Sequence, residues 1–220
     1  MSKKIYISPS SQPANIYAVG NTNEQEQCRR IAAALKEELD RCGFSCLAGL
    51  EGTMYTRVAE SNQWGAELHL PLHTNAFDGK VAGLRIMVGR KGAEAERIAQ
   101  AILDSLAPIT PGTSDGISVQ TGLYEITNTS ALCVYIEVGF HDNPQEAQWM
   151  IDNTRQIAVA IAKGLCGYYG VAYVGKEPAE TPAEETAVYR VQLGAFRDRQ
   201  LAQQLLKELQ EKGYDAFIVS

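Results

Sequence analysis

Short apolar runs alternate with segments of helical periodicity over the first 172 or so residues, and this alternation limits the chain to few architectures. Residues 4–8, 44–47, 67–72, 83–88 and 131–138 read as strands. Between them, Asn21-Thr22-Asn23-Glu24 opens a long helix, with Thr22 or Asn23 as cap and acidic residues in its first turn. Its apolar residues Cys28, Ile31, Ala32, Leu35 and Leu39 recur at helical spacing, and Gly43 stops it. Residues 54–64, 93–106 and 144–169 read as further helices, the last beginning at Pro144. Strands alternating with helices imply an α/β fold, a mostly parallel twisted sheet with helices on both faces. In such sheets ligands bind at the carboxyl ends of the strands, where Ser8, His73 and Glu137 lie.

The composition then changes. Residues 175–186 contain no large apolar side chain, so a flexible linker is expected over 173–187. Beyond it, residues 188–193 alternate as a strand, 201–212 form an amphipathic helix and 214–219 read as another strand. That piece, 188–220, is too small to be a stable domain alone and reads as part of a module. The expected division is therefore 1–172, linker 173–187 and 188–220.

A net charge of −6 argues against a nucleic-acid surface, which needs a basic stripe. No window approaches the ~18 apolar residues of a membrane span, and the N-terminus lacks the apolar run of a secretory signal. The five cysteines form no C-x-x-C pair, so buried free thiols are expected, which favours synthesis in a reducing compartment.

All three histidines fall in two apolar stretches that lead into polar loops: His69 and His73 in Leu68-His69-Leu70-Pro71-Leu72-His73-Thr74-Asn75, and His141 after Tyr135-Ile136-Glu137-Val138-Gly139-Phe140. Imidazoles and a carboxylate at strand ends suit a divalent metal with an adjacent acid/base. Glu137 closes an apolar strand between Ile136 and Val138, a setting that raises a carboxyl pKa and helps it donate a proton.

Residues 57–76, with Arg57, Asn62, Glu67 and His73-Thr74-Asn75-Ala76, together with Glu137-Val138-Gly139-Phe140-His141-Asp142-Asn143 and Gly20-Asn21-Thr22-Asn23-Glu24, resemble three blocks of the zinc-dependent N-acetylmuramoyl-L-alanine amidases. The resemblance covers residues 3–172. It implies Zn²⁺ held by Glu24 and His73, Glu137 as catalytic acid/base, and hydrolysis of the amide between N-acetylmuramic acid and the L-alanine of the stem peptide. It implies action at the bacterial cell wall, outside the cell; a monomer is expected. The rival functions are a non-catalytic wall-binding protein and a metallopeptidase cutting within the stem peptide.

The chain departs from this family at one point. Where the family ends its first strand with a ligand histidine, this chain has Ser8-Pro9-Ser10-Ser11-Gln12. His141, four residues after Glu137, is the preferred third ligand. His69 is an alternative, although four residues along a strand span about 13 Å; Gln12 or a water is another. Otherwise His69 is a strand histidine bonded inside the fold. Asn75 and Asn143 are candidate substrate contacts, with turn stabilisation as the competing role. Glu125 reads as a solvated strand-end charge or else a secondary carboxylate of the site, and Arg57 as a structural ion-pair partner, with a substrate contact as the competing role. The segment from Tyr189 to Phe196, followed by Ala202, Leu205, Leu209 and Gly213-Tyr214, resembles the first half of a SPOR domain, a family that binds peptidoglycan glycan strands.

Overall fold

The computed structural model describes residues 2–175, 196, 198–214 and 218. The chain divides into two units, Met1–Lys176 and Glu177–Ser220. The first is built from β1 (Lys4–Pro9), α1 (Glu24–Arg41), β2 (Ser45–Ala48), α2 (Met54–Trp64), β3 (Leu68–Asn75), β4 (Arg85–Val88), α3 (Glu94–Leu106), β5 (Gly116–Val119), α4 (Tyr124–Asn128), β6 (Leu132–Cys133), β7 (Tyr135–Phe140), α5 (Pro144–Asp152) and α6 (Thr154–Tyr169). The strands form one sheet in the order β2-β1-β3-β7-β4-β5, with β6 also paired to β3. Every pairing is parallel except β4 with β7. The sheet expected from the sequence is therefore present, with two strands reversed at one edge.

The two faces of the sheet differ in chemistry, because side chains alternate along each strand. Ile5 and Ile7 of β1, Leu68, Leu70 and Leu72 of β3, Ile136 and Val138 of β7, and Ile86 and Val88 of β4 share one face. They pack with Ile31, Leu35 and Leu39 of α1, Ile98 and Ile102 of α3, and Ile157, Ile161 and Leu165 of α6 in one continuous core. The intervening residues Tyr6, Ser8, His69, His73, Tyr135 and Glu137 take the opposite face. There α2 supplies Glu60 to the Tyr6 hydroxyl and Ser61 to His69, while α4 supplies Glu125 to Ser8 and His69.

Local signals set the helix boundaries. The Asn23 side chain caps α1 by accepting from Glu26 N at 3.0 Å, and Gly20 before it adopts φ +81°, where the ordinary L-residue is strained. The single helix expected over 144–169 is two, broken at Asn153, whose own backbone (φ −114°, ψ 21°) leaves the helical region. The helix α4 and strand β5 are too short to announce themselves by periodicity. The five cysteines are free as expected, four of them buried. Tyr173 and Val174, placed in the linker by composition, pack on α1 and the residue following it: the Tyr173 hydroxyl donates to Glu38 at 2.7 Å and Val174 N to Cys42 Sγ at 3.3 Å.

In the second unit, α7 (Arg199–Glu211) is capped by Asp198, which accepts from Gln200 N at 2.8 Å. Ala202, Leu205, Leu206 and Leu209 form its partly buried side, as the amphipathic pattern predicts. The expected strand at 188–193, and all but two residues of that at 214–219, lie outside the described residues.

A close approach in the helical layer occurs where α6 packs on α3. A Cβ at Gly164 would stand 2.6 Å from Ala101 O and 2.8 Å from the Ile102 Cα. Backbone cannot yield as a side chain tip does, so Gly164→Ala is expected to destabilise the protein by about 1–3 kcal/mol. A denaturant melt of the variant against wild type measures it; equal midpoints would show that the helices separate freely.

Candidate active site

The carboxyl ends of β1, β3 and β7 lie together because the three strands are parallel neighbours. Glu24 arrives there as the first residue of α1, its carboxylate at the positive end of the helix. It is fully buried. Its Oε1 lies 2.9 Å from His73 Nδ1 and accepts from Thr74 N at 3.3 Å, while Oε2 accepts from Asn15 Nδ2 at 2.5 Å. Burial alone would push the Glu24 carboxyl up, but the hydrogen bonds from His73, Asn15 and Ser10 hold it below its ordinary value.

His73 stands in β3 with its ring stacked on Tyr135, centroids 4.6 Å apart. Its Nε2 is 3.6 Å from Glu125 Oε2, so the imidazole is flanked by a carboxylate on each side. Burial works to lower its pKa, yet Glu125 and Glu24 together raise it to about 9. Glu137 is the cross-strand partner of His73. Its Oε2 is enclosed and has no hydrogen-bond partner among the described residues. Burial pushes the Glu137 carboxyl up to about 7, with nearby Glu24 adding to the rise and His73 opposing it. Glu24, His73 and Glu137 are thus gathered at one strand end.

His141 is set apart from them. Its Nδ1 lies 3.0 Å from Thr74 Oγ1 and its ring stacks on Tyr17, with no contact to Glu24 or His73 among the described residues. A register shift causes this. His73 pairs with Glu137, but Asn75 pairs with Phe140 rather than with the residue before it, so β7 carries one extra residue at its end. Such a bulge reverses the side-chain alternation beyond it, sending His141 toward Thr74 rather than toward the face of Glu137.

The remaining candidates divide as follows. His69 is bonded inside the fold, Nδ1 to Ser61 Oγ at 2.9 Å and Nε2 to Glu125 Oε1 at 3.2 Å. Gln12 does reach the site: its Nε2 is 3.3 Å from His73 Nδ1 and its Oε1 accepts from Asn15 Nδ2 at 3.4 Å. Asn143 caps α5 through its carbonyl, and its Nδ2 donates to Lys80 O and Val81 O, so both ends of the amide serve the loops. Asn75 accepts from its neighbour Ala76 N at 2.8 Å. Among the described residues Arg57 is not paired to a carboxylate; it donates to Pro9 O and Gly52 O, tying down the loop after β1. Glu125 is no solvated strand end. It sits on α4, 3% exposed, among Ser8, His69 and His73. Those three groups overcome the upward push of burial and bring its carboxyl down to about 2.

Among the described residues, no cluster of three His, Cys, Asp or Glu side chains is arranged to hold a metal ion. The convergent pair Glu24 and His73 supplies one oxygen and one nitrogen of the kinds zinc takes, with the Gln12 amide beside them.

Comparison with known proteins bears on this arrangement. The family model described as N-acetylmuramoyl-L-alanine amidase matches residues 8–167, and a SPOR domain model matches residues 134–220. The two overlap over 134–167, which here belong to the first unit. A germination-specific N-acetylmuramoyl-L-alanine amidase of Bacillus subtilis (strain 168) is 33% identical over 116 residues, covering 51% of this chain and 49% of the relative. An uncharacterized 38.4 kDa protein of Clostridium perfringens is 27% identical over 160 residues, covering 68% and 46%. The chain thus spans about half the length of these two curated relatives. An N-acetylmuramoyl-L-alanine amidase of Bacillus licheniformis is 24% identical over 225 residues, covering 98% and 84%. Among solved structures, the catalytic domain of an N-acetylmuramoyl-L-alanine amidase from Bacillus (Paenibacillus) polymyxa superposes with a TM-score of 0.68 at 18% identity, covering 77% of this chain and 99% of that one, a likeness of fold. With residues 8–167 matched, and Glu24, His73 and Glu137 all inside that span, the chain belongs to the N-acetylmuramoyl-L-alanine amidase family.

Proposed function

We propose that the first unit hydrolyses the amide bond between N-acetylmuramic acid and the L-alanine of the peptidoglycan stem peptide, as a zinc-dependent amidase acting at the bacterial cell wall. The observation that carries this reading is the meeting of Glu24, His73 and Glu137 on neighbouring β3 and β7, with a Glu137 carboxylate oxygen that has no partner among the described residues. Glu24 and His73 would hold the ion, with the Gln12 amide beside them, its Nε2 3.3 Å from His73 Nδ1. Zinc bound there would supply a Lewis acid for the scissile carbonyl and the attacking water.

The chain's own residues do the rest. Glu137 has a carboxyl near neutrality, so it can take a proton from the attacking water and return it to the leaving amine of L-alanine. Tyr135 holds the His73 ring by stacking, and Arg57 fixes the loop that carries Gln12. Exposed Ile16 and Phe77 stand on the loops after β1 and β3, and both loops bond to the His141-Asp142 segment. They offer an apolar rim for a stem peptide. The tail, matched by the SPOR model, would bind the glycan strand and raise the local concentration of enzyme on a polymeric substrate.

Purified peptidoglycan incubated with the full chain should yield free L-alanine amino ends together with intact muramic acid. Glu137→Gln should lower that rate by about 10²–10⁴-fold, and Glu24→Gln or His73→Ala should lower zinc content as well. A new amino group on any other stem-peptide residue would redirect the assignment to a peptidase. A wild-type chain without zinc, lysing no faster than Glu137→Gln, would end it.

A second outcome follows from the Glu137 environment. Its carboxyl lies at about 7 in the fold against an ordinary 4.5, so between those values the folded state keeps a proton that the unfolded chain has released. Stability of the metal-free protein therefore falls as pH rises through that window. Glu137→Gln removes the penalty. The variant should be more stable than wild type above pH 7 by up to about 3 kcal/mol, and equal to it near pH 4.5. Thermal melts in chelator at the two pH values read this directly; a pH-independent difference would mean that Glu137 is solvated.

A further inference from the structure

Behind the proposed metal-holding pair runs a chain of buried polar groups that the proposed chemistry does not use. Ser61 Oγ meets His69 Nδ1 at 2.9 Å, and His69 Nε2 meets Glu125 Oε1 at 3.2 Å. Ser8 Oγ donates to that same oxygen, and Glu125 Oε2 faces His73 Nε2 at 3.6 Å. Ser61, His69 and Ser8 are fully buried, and His69 is further clamped by a parallel stack on Tyr6 with centroids 5.3 Å apart. An ion pair buried only for stability is poorly favoured, since apolar residues of similar volume do as well or better. The direction of the chain gives it a purpose. It ends on the edge of the His73 ring that faces away from Glu24.

The two nitrogens of an imidazole direct their lone pairs away from one another. An ion taken by His73 on its Nδ1 edge therefore lies on the Glu24 side, and Glu125, on the Nε2 edge, cannot share it. What Glu125 can do is attract the Nε2–H. At 3.6 Å this is an ion-pair contact, whose charge favours the proton on Nε2, leaves the lone pair on Nδ1 and steadies the ring.

We propose that Glu125 is a positioning residue, fixed by Ser8 and His69, which orients His73 so that its Nδ1 faces the Glu24 carboxylate and the metal between them. The inference rests on the reading of Glu24 and His73 as the metal-holding pair. The sequence contributes to it through two residues that would otherwise be unexplained: a serine next to last in β1, and a second histidine four positions before His73 on the same strand face.

The test uses the full chain as wild type, Glu125→Gln and Ser8→Ala. Zinc affinity is measured by competition with a chromophoric chelator, and the imidazole ¹⁵N shifts of His73 are recorded with and without zinc. Glu125→Gln should weaken zinc binding by about 10–100-fold and move the His73 Nε2 resonance, with near-ultraviolet circular dichroism unchanged. Ser8→Ala should move both in the same direction, by less. Unchanged affinity and unchanged His73 shifts in a folded Glu125→Gln would overturn the proposal. If that variant does not fold, Ser8→Ala decides by the same two readings. A wild-type chain that takes up no zinc would defeat the metal reading of the site. The metal-free His73 shifts of wild type and Glu125→Gln would then still decide whether Glu125 sets the ring.

Discussion

The alternation of side chains along β3 is the constraint on which the first unit depends. Leu68, Leu70 and Leu72 must leave water, and doing so against α1, α3 and α6 contributes on the order of 2 kcal/mol for each such side chain. Once they face that layer, His69 and His73 have no choice but the other face. Slipping the strand by one residue would bury two imidazoles in an aliphatic core and set three leucines among the buried polar groups beneath α2 and α4. The position of the candidate site is therefore a consequence of core packing rather than an independent feature. The same parity, carried through the parallel ladder, aligns Tyr6 and Ser8 of β1 and Tyr135 and Glu137 of β7 with the histidines.

Burial then differentiates three carboxylates that are chemically alike. Glu24 and Glu125 are each hydrogen-bonded to imidazole and to other polar groups, so both stay ionised although enclosed. Glu137 is buried, has an oxygen without a partner among the described residues and has a like charge nearby, so it binds a proton more readily. One site thus contains two permanently anionic groups and one that can exchange a proton near neutral pH. Separate environments for like groups are what a hydrolytic centre with an acid/base residue requires.

Much of this was legible from local chemistry. Asn23 and the acidic turn after it mark where α1 begins, which is why Glu24 could be placed at a helix start. The apolar run before Glu137 marked a buried strand, and a carboxylate at its end is costly enough to imply a task. Other residues were misread because their surroundings come from distant segments. Glu125 looks like a solvated charge in a polar stretch, and only the docking of the five-residue α4 puts it beneath His73. Arg57 reads as an ion-pair partner, yet its acceptors are carbonyls of the loops at Pro9 and Gly52.

The sequence by itself determined the α/β class, the core face of each long strand, Glu24 at a helix start and His73 and Glu137 on buried strands, because those properties follow from periodicity and capping within a few residues. Tertiary structure alone decided which side chains share a space. The one-residue bulge at the end of β7 turns His141 away from Glu137, and the approach of α4 brings Glu125 to the Nε2 edge of His73. Both depend on register and docking between segments more than 50 residues apart, as the separations of His73 from Glu125 and of Thr74 from His141 show. No local pattern encodes such distances, since they are fixed only when the whole sheet has closed around its core.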